Sequence, residues 1–180
     1  MSVVFETDRI QLRHWKDEDR QQFARMNGDP LIMEYLPRPL TEKDSNHLVD
    51  KFEKHFDKHG YGLYALERKE DGAFMGFTGL QKVGFKAGFT PATEIAWRLD
   101  YEYWGKGYAS EAAREVLARG LSDLGLDKVV AFTVHDNTRS IGVMEKIGMK
   151  KVKGGEFAYP TLPKDHPLGS FVLYEAVSSS

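Results

Sequence analysis

Apolar and polar positions along this chain switch between two periods, and the switches divide it into strands and helices. Over residues 9–15, Ile10, Leu12 and His14 alternate with Gln11 and Arg13, the pattern of a half-buried strand. Asp17 stands where an N-cap belongs, ahead of a helix running to about Met26 with Phe23 and Met26 inward and Asn27-Gly28 as its stop. Pro30, Pro37 and Pro39 keep the next stretch irregular. Thr41, with Asp44 in the reciprocal position of a capping box, opens a second helix. Leu48, Val49, Phe52 and Phe56 line one face of it, and Gly60 ends it.

Strands follow at 61–67 and 73–80, joined by the turn-forming run 69–72. Gly76 and Gly79 inside the second of them mark a bulge or a close backbone approach. A glycine-containing loop at 84–91 leads to a strand at 92–99, so three strands form a meander. A helix over 110–124 carries Ala112, Ala113, Val116, Leu117 and Leu121 at helical spacing, stopped by Gly125. The continuous apolar run 128–134 suits a buried central strand. Strand, helix, strand in that order predicts a right-handed crossover and a parallel pair. A further helix starts at 136–140 and ends at Gly148. Strands at 149–157 and 170–177 follow, linked through Pro160, Pro163 and Pro167. The expectation is one domain over 1–177 with a frayed tail at 178–180.

The stretch Tyr103-Trp104-Gly105-Lys106-Gly107-Tyr108-Ala109-Ser110 joins a strand to a helix with almost no side-chain cover at the junction. Bare N–H groups at a helix N-terminus, backed by the helix dipole, suit phosphate. The turn reads as a pyrophosphate cradle. It lacks the Ser or Thr that follows the lysine of a P-loop, and it lacks the third glycine of a dinucleotide fingerprint, where Ser110 stands. A plain structural turn is the other reading of a lone Gly-x-Gly.

Composition narrows the chemistry. Among 180 residues the formal charge is -2, and no basic stripe or run appears, so nucleic acid is not the expected partner. No apolar run approaches a membrane span. Without cysteine there is no disulfide, no thiolate nucleophile and no Cys-based metal site, which agrees with a cytoplasmic location. His55 and His59 lie four apart on a helix with no third ligand in view, so no metal is expected.

Two motifs and the order of elements together resemble the GNAT superfamily of N-acetyltransferases. The first is Trp104-Gly105-Lys106-Gly107-Tyr108-Ala109 with Ser110-Glu111-Ala112, similar to that superfamily's acetyl-CoA pyrophosphate loop. The second is Asn137-Thr138-Arg139-Ser140 with Glu145-Lys146-Ile147-Gly148-Met149, similar to the ribosomal-protein N-terminal acetyltransferase (Rim-type) branch, as is the opening 6–13. The resemblance covers nearly the whole chain. It implies an α/β (α+β) fold: a mixed, mostly antiparallel central sheet of about seven strands with a parallel central pair, flanked by about four helices. It also implies acetyl transfer from acetyl-CoA to a primary amine, on a protein N-terminus or a small molecule, in a monomer or homodimer. The alternative is an acyl-CoA-binding regulatory or sensor module without turnover.

The resemblance assigns cofactor contacts to Trp97, Leu99, Trp104, Gly105, Lys106, Gly107, Tyr108, Ala109, Ser110 and Asn137. Backbone groups of Trp97 and Leu99 bond the pantetheine amides, and N–H groups near Trp97 meet the thioester oxygen. Lys106 adds charge near the phosphates or is simply solvated. Asn137 reaches the pantetheine arm or caps a helix, and the two are compatible. An alkylammonium near pKa 10.4 costs about 4 to 5 kcal/mol to deprotonate at neutral pH, a chain α-amine only about 1 to 1.5 kcal/mol. Glu94, on the strand leading into the cradle, is the base candidate; a solvent-exposed strand Glu is the bland reading. Ser140 is the candidate donor to the departing thiolate, against a helix-surface hydroxyl. Met144 stands near where many relatives carry a tyrosine acid, and His135 is a relay candidate more readily read as structural.

Overall fold

The computed structural model describes residues 3–179. Strands β1 (Val3–Glu6), β2 (Ile10–Arg13), β3 (Leu63–Arg68), β4 (Phe74–Lys82) and β5 (Thr93–Leu99) run antiparallel in sequence order. β6 (Lys128–Val134) lies parallel to β5, and β9 (Ser170–Val177) antiparallel to β6. Two short strands, β7 (Lys150–Lys151) and β8 (Phe157–Ala158), both pair with β9, giving nine strands in one sheet. The helices are α1 (Asp19–Asn27), α2 (Glu42–His59), α3 (Tyr108–Ser122) and α4 (Thr138–Lys146).

The expected mixed, mostly antiparallel sheet with a parallel pair and four helices is therefore present. The strand count exceeds seven because β1 precedes the region read as strand, and because 149–157 is two short strands. Gly154, at φ 69°, and the bond from Gly155 N–H to the Val152 carbonyl turn the chain between them.

Aromatic packing fixes α1 and α2 on one face. Trp15, Phe23, Phe52, Phe74 and Phe77 touch ring to ring, with centroids 4.9 to 6.4 Å apart. α3 covers the other face, where a side chain at Gly120 would meet Leu80 at 2.7 Å. Both glycines read as close approaches in β4 are so. A Cβ at Gly76 would stand 2.1 Å from the Arg98 carbonyl oxygen, and one at Gly79 2.0 Å from that of Gly62. Thr41 caps α2 by accepting from the Asp44 N–H at 3.1 Å, and Gly60 closes it at φ 77°.

Two expectations at the first strand and helix are corrected by one ion pair. Arg13 is buried and His14 exposed, the reverse of the alternation read from sequence. Arg13 donates to both oxygens of Asp19 (2.7 and 2.9 Å) and to Glu67 (2.6 Å), which makes its burial tolerable. Asp17 does not cap α1. The cap position is Glu18, without a side-chain bond, and Asp19 instead accepts from the Lys16 N–H at 2.8 Å. At the other end of the chain, Ser178 N–H still bonds Asp127 at 2.8 Å, and Ser180 lies outside the described residues.

Candidate active site

β5 and β6 pair at one register position, Glu94↔Val130, and then part. Asp100 N–H bonds the Met75 carbonyl on β4. By strand alternation the main-chain groups of Arg98, Ala96 and Glu94 also face β4, while those of Trp97 and Leu99 face the gap toward β6. The gap belongs to a cavity of about 880 Å³. Its wall includes Glu94, Trp97, Leu99, Trp104, Gly105, Gly107, Ala109, Ser110, Asn137 and Ser140. It is open space of the size of a cofactor site.

At one end of the cavity lies the glycine turn. Gly105 and Gly107 sit at φ 73° and 82°, where a side chain is strained, and α3 begins at Tyr108. Among the described residues, no backbone N–H of residues 105–110 has a hydrogen-bond partner; the first such bond is Glu111 N–H to the Gly107 carbonyl at 3.0 Å. A cradle of free donors at a helix N-terminus fits the diphosphate of CoA. Nothing lies within 4 Å of where a Cβ on Gly105 would stand, so the approach to these amides is open.

The turn is braced from outside. Arg9 donates from Nη2 to the Lys106 carbonyl at 3.0 Å and from Nε to Glu111 at 2.7 Å, and its guanidinium covers the Tyr108 ring at 4.1 Å. Thr7 also donates to Glu111 at 2.6 Å. Tyr108 is thereby buried, and Lys106 is exposed; neither lines the cavity. Trp104 donates from Nε1 to the Leu99 carbonyl at 3.0 Å and lies 3.9 Å under the Arg139 guanidinium, tying the turn to α4. The Leu99 carbonyl is thus engaged, and its N–H is the group left facing the gap.

At the other end, Glu94 is partly buried on the face of the sheet that carries α1 and α2, with Gln81 donating to it at 3.3 Å. Burial raises its carboxyl from 4.5 to about 7, only partly offset by the Gln81 bond. A carboxyl set near neutrality accepts a proton from an amine more readily than an ordinary glutamate. Tyr159, on the loop before β9, lines the same end of the cavity, and both burial and the charge of Glu94 hold its phenol above the usual range.

α4 brings the remaining candidates. Asn137 caps it, accepting from the Ser140 N–H at 3.4 Å while donating to Thr133 at 3.0 Å, so the capping role is filled and one amide hydrogen stays available. The Ser140 hydroxyl has no partner among the described residues and faces the cavity. One turn on, Met144 also lines the cavity, 1 % exposed, and offers no proton. His135 is exposed, bonds Asp136 at 3.0 Å and stands outside the cavity wall.

The cavity thus gathers ten of the twelve residues named from sequence. Arg9, Gln81, Arg98 and Tyr159 were not foreseen. Arg98 left one local trace, a second charge after Glu94 in β5, but the lack of a carboxylate beside it could not be read from the strand. Gln81 and Tyr159 had none, because their neighbours are far off in sequence.

A family model described as an acetyltransferase (GNAT) domain matches residues 9–150. The chain is 33% identical over 144 residues to the uncharacterized protein YkkB of Bacillus subtilis, covering 79% of this chain and 83% of that one. It is 30% identical to the uncharacterized N-acetyltransferase YnaD of the same organism, covering 81% of each. The solved structure of a GNAT-family acetyltransferase from Bacillus anthracis superposes with TM-score 0.75 at 25% identity over 98% of both chains.

Proposed function

We propose, from the premise that this chain belongs to the GNAT acetyltransferase family and is an acetyl-CoA-dependent N-acetyltransferase, the residue roles that follow. The free amides of 105–110, with Trp104 and Lys106 beside them, hold the diphosphate. Trp97 and Leu99 hold the pantetheine arm along the open edge of β5, and Asn137 contributes its spare amide hydrogen. The acceptor amine loses its proton to Glu94, directly or through water, and attacks the thioester carbon. The oxygen charge that develops meets the Trp97 N–H. The C–S bond breaks, and Ser140 supplies a proton to the leaving thiolate, a part Met144 cannot take.

The observation that carries this reading is one continuous cavity with unbonded helix-terminal amides at one end and a carboxyl near pKa 7 at the other. A sensor without turnover needs no such carboxyl, and no feature of the cavity favours it. The acceptor is a primary amine. The Rim-type motifs favour a peptide N-terminus, and the apolar wall of Tyr35, Leu36, Leu48 and Phe52 favours a small molecule. Solved structures of this fold include a ribosomal-protein-S5-alanine acetyltransferase from Vibrio fischeri and a spermidine N-acetyltransferase from Vibrio cholerae, at 19% and 17% identity. Likeness at that distance carries the fold alone. We take 1–177 as a single catalytic domain working in the cytoplasm as a monomer or homodimer.

The test is CoA release from acetyl-CoA with a panel of peptides and small amines. Acceptor-dependent release that Glu94→Gln suppresses supports these roles. Tight acetyl-CoA binding with no release under any amine would remove them.

A further inference from the structure

Arg98 lines the cavity on the same sheet face as Glu94, and its charge lacks a partner. Its guanidinium donates once, to Asn27 Oδ1 at 2.7 Å, and lies over the Phe77 ring at 5.3 Å. Among the described residues no carboxylate comes within ion-pair reach of it. Asp100, two residues on, is taken by Arg25. The contrast with Arg13 is direct: Arg13 is buried where Arg98 is only partly so, and two carboxylates surround it. Burial with no compensating acid pushes Arg98 down to about 10. A guanidinium carries five N–H donors in a fixed fork, and most of this fork is left to the cavity.

The support beneath it is rigid. Asn27 is fully buried and itself donates to Ser45 at 2.9 Å, so α1 and α2 together hold the guanidinium in place. Ala96, between Glu94 and Arg98 on the same face, leaves a floor without side-chain bulk. Tyr35, Leu36, Leu48, Phe52 and Phe77 make the surrounding wall apolar. Among the described residues Glu94 is the one carboxylate on the wall, whereas Arg98, Arg139 and Lys146 are cationic, which does not suit a polycation.

We propose that Arg98 is a specificity-determining residue that binds an anionic group, in the first place a carboxylate, on the acceptor, so that this enzyme acetylates an amine carrying an acid at the far end of a small apolar body. The proposal rests on Glu94 marking the place of the amine. Four residue steps along the strand separate the two α-carbons, about 13 Å. Even with both side chains reaching inward, amine and acid belong at opposite ends of the acceptor rather than on one carbon. Bidentate pairing of guanidinium and carboxylate supplies both energy and orientation.

The matched probes are para-(aminoethyl)benzoate and its methyl ester, which share the amine and the ring and differ in the charge. With CoA bound, the acid raises the Tm of the wild type more than the ester does. In the acetyl-transfer assay its kcat/KM exceeds that of the ester by at least about tenfold, within the range for a charged hydrogen bond. In Arg98→Met both differences vanish while the acetyl-CoA Kd stays within about twofold, and Arg98→Lys keeps part of them. The ester equalling the acid in the wild type overturns the proposal without any variant. Discrimination that survives in Arg98→Met, or spermidine outperforming the acid, overturns it as well. An Arg98-dependent Tm difference without CoA release upholds the recognition and removes the catalytic roles given above. Release with no acid–ester difference does the reverse.

Discussion

At the scale of single residues, the proposed chemistry turns on Glu94 and on what surrounds it. The sheet face it occupies is covered by α1 and α2, so its carboxylate loses water and gains only the Gln81 amide in return. The pH dependence follows in sign. The base works when ionised, so kcat/KM for an amine rises with pH through about 7 and levels above it. Glu94→Gln lowers kcat/KM at neutral pH by about 10² to 10⁴-fold and removes that rise. The same shift acts on stability. A carboxyl whose folded pKa is raised binds its proton more tightly in the native state. Its favourable contribution is complete below about 4.5 and is lost as pH climbs through about 7. Thermal denaturation of Glu94→Gln across that window therefore shows the variant gaining on the wild type by up to about 3 kcal/mol toward the alkaline side. A variant that is less active yet more stable at alkaline pH is the expected signature. An unchanged stability gap across pH would place the ionised carboxylate in good solvent and remove its activation.

At the scale of elements, the junction of β5 and α3 is the proposed cofactor end. Gly105 and Gly107 must adopt positive φ for the chain to enter α3 with its first amides open, and Arg9 and Glu111 lock that entry from the surface. Gly107→Val strains the turn at a cost of about 1 to 3 kcal/mol and presses on the Arg9 guanidinium, 3.5 Å from the added Cβ, so the amides lose their alignment. The acetyl-CoA Kd then rises by at least about thirtyfold by calorimetry. Gly60→Ala, at φ 77° in the C-cap of α2 and far along the chain from the cradle, is the matched control. It incurs comparable strain and leaves the Kd unchanged. Equal Kd effects from both would mean that binding follows overall stability rather than these amides. The glycine motif was readable because its physics is local, in a strand end, two small residues and a helix start. The cap at Thr41 and the stop at Gly60 were readable for the same reason. Asp17 misled because its neighbour Asp19 answers to Arg13, and through it to Glu67, a residue brought near only by the sheet.

At the scale of the whole molecule, the proposed function depends on one sheet opening between two parallel strands. The period of the apolar residues and the strand–helix–strand order foretold that pair. The parting of β5 from β6 after Glu94↔Val130 carries no local signal, and the second motif at 137–140 becomes meaningful only because β6 delivers α4 to the far lip of the same gap. Arg98 and Tyr159 escaped notice for a related reason, since the surroundings of each are assembled from segments far apart in the chain. The central claim is that the amides of 105–110, without a partner among the described residues, are the groups that grip CoA. Residue-resolved amide hydrogen exchange tests it most directly. In the free protein those amides exchange fast, and saturating CoA slows them by at least about tenfold while the amides of 178–179 are unmoved. CoA bound at saturation with exchange at 105–110 unchanged would contradict the account.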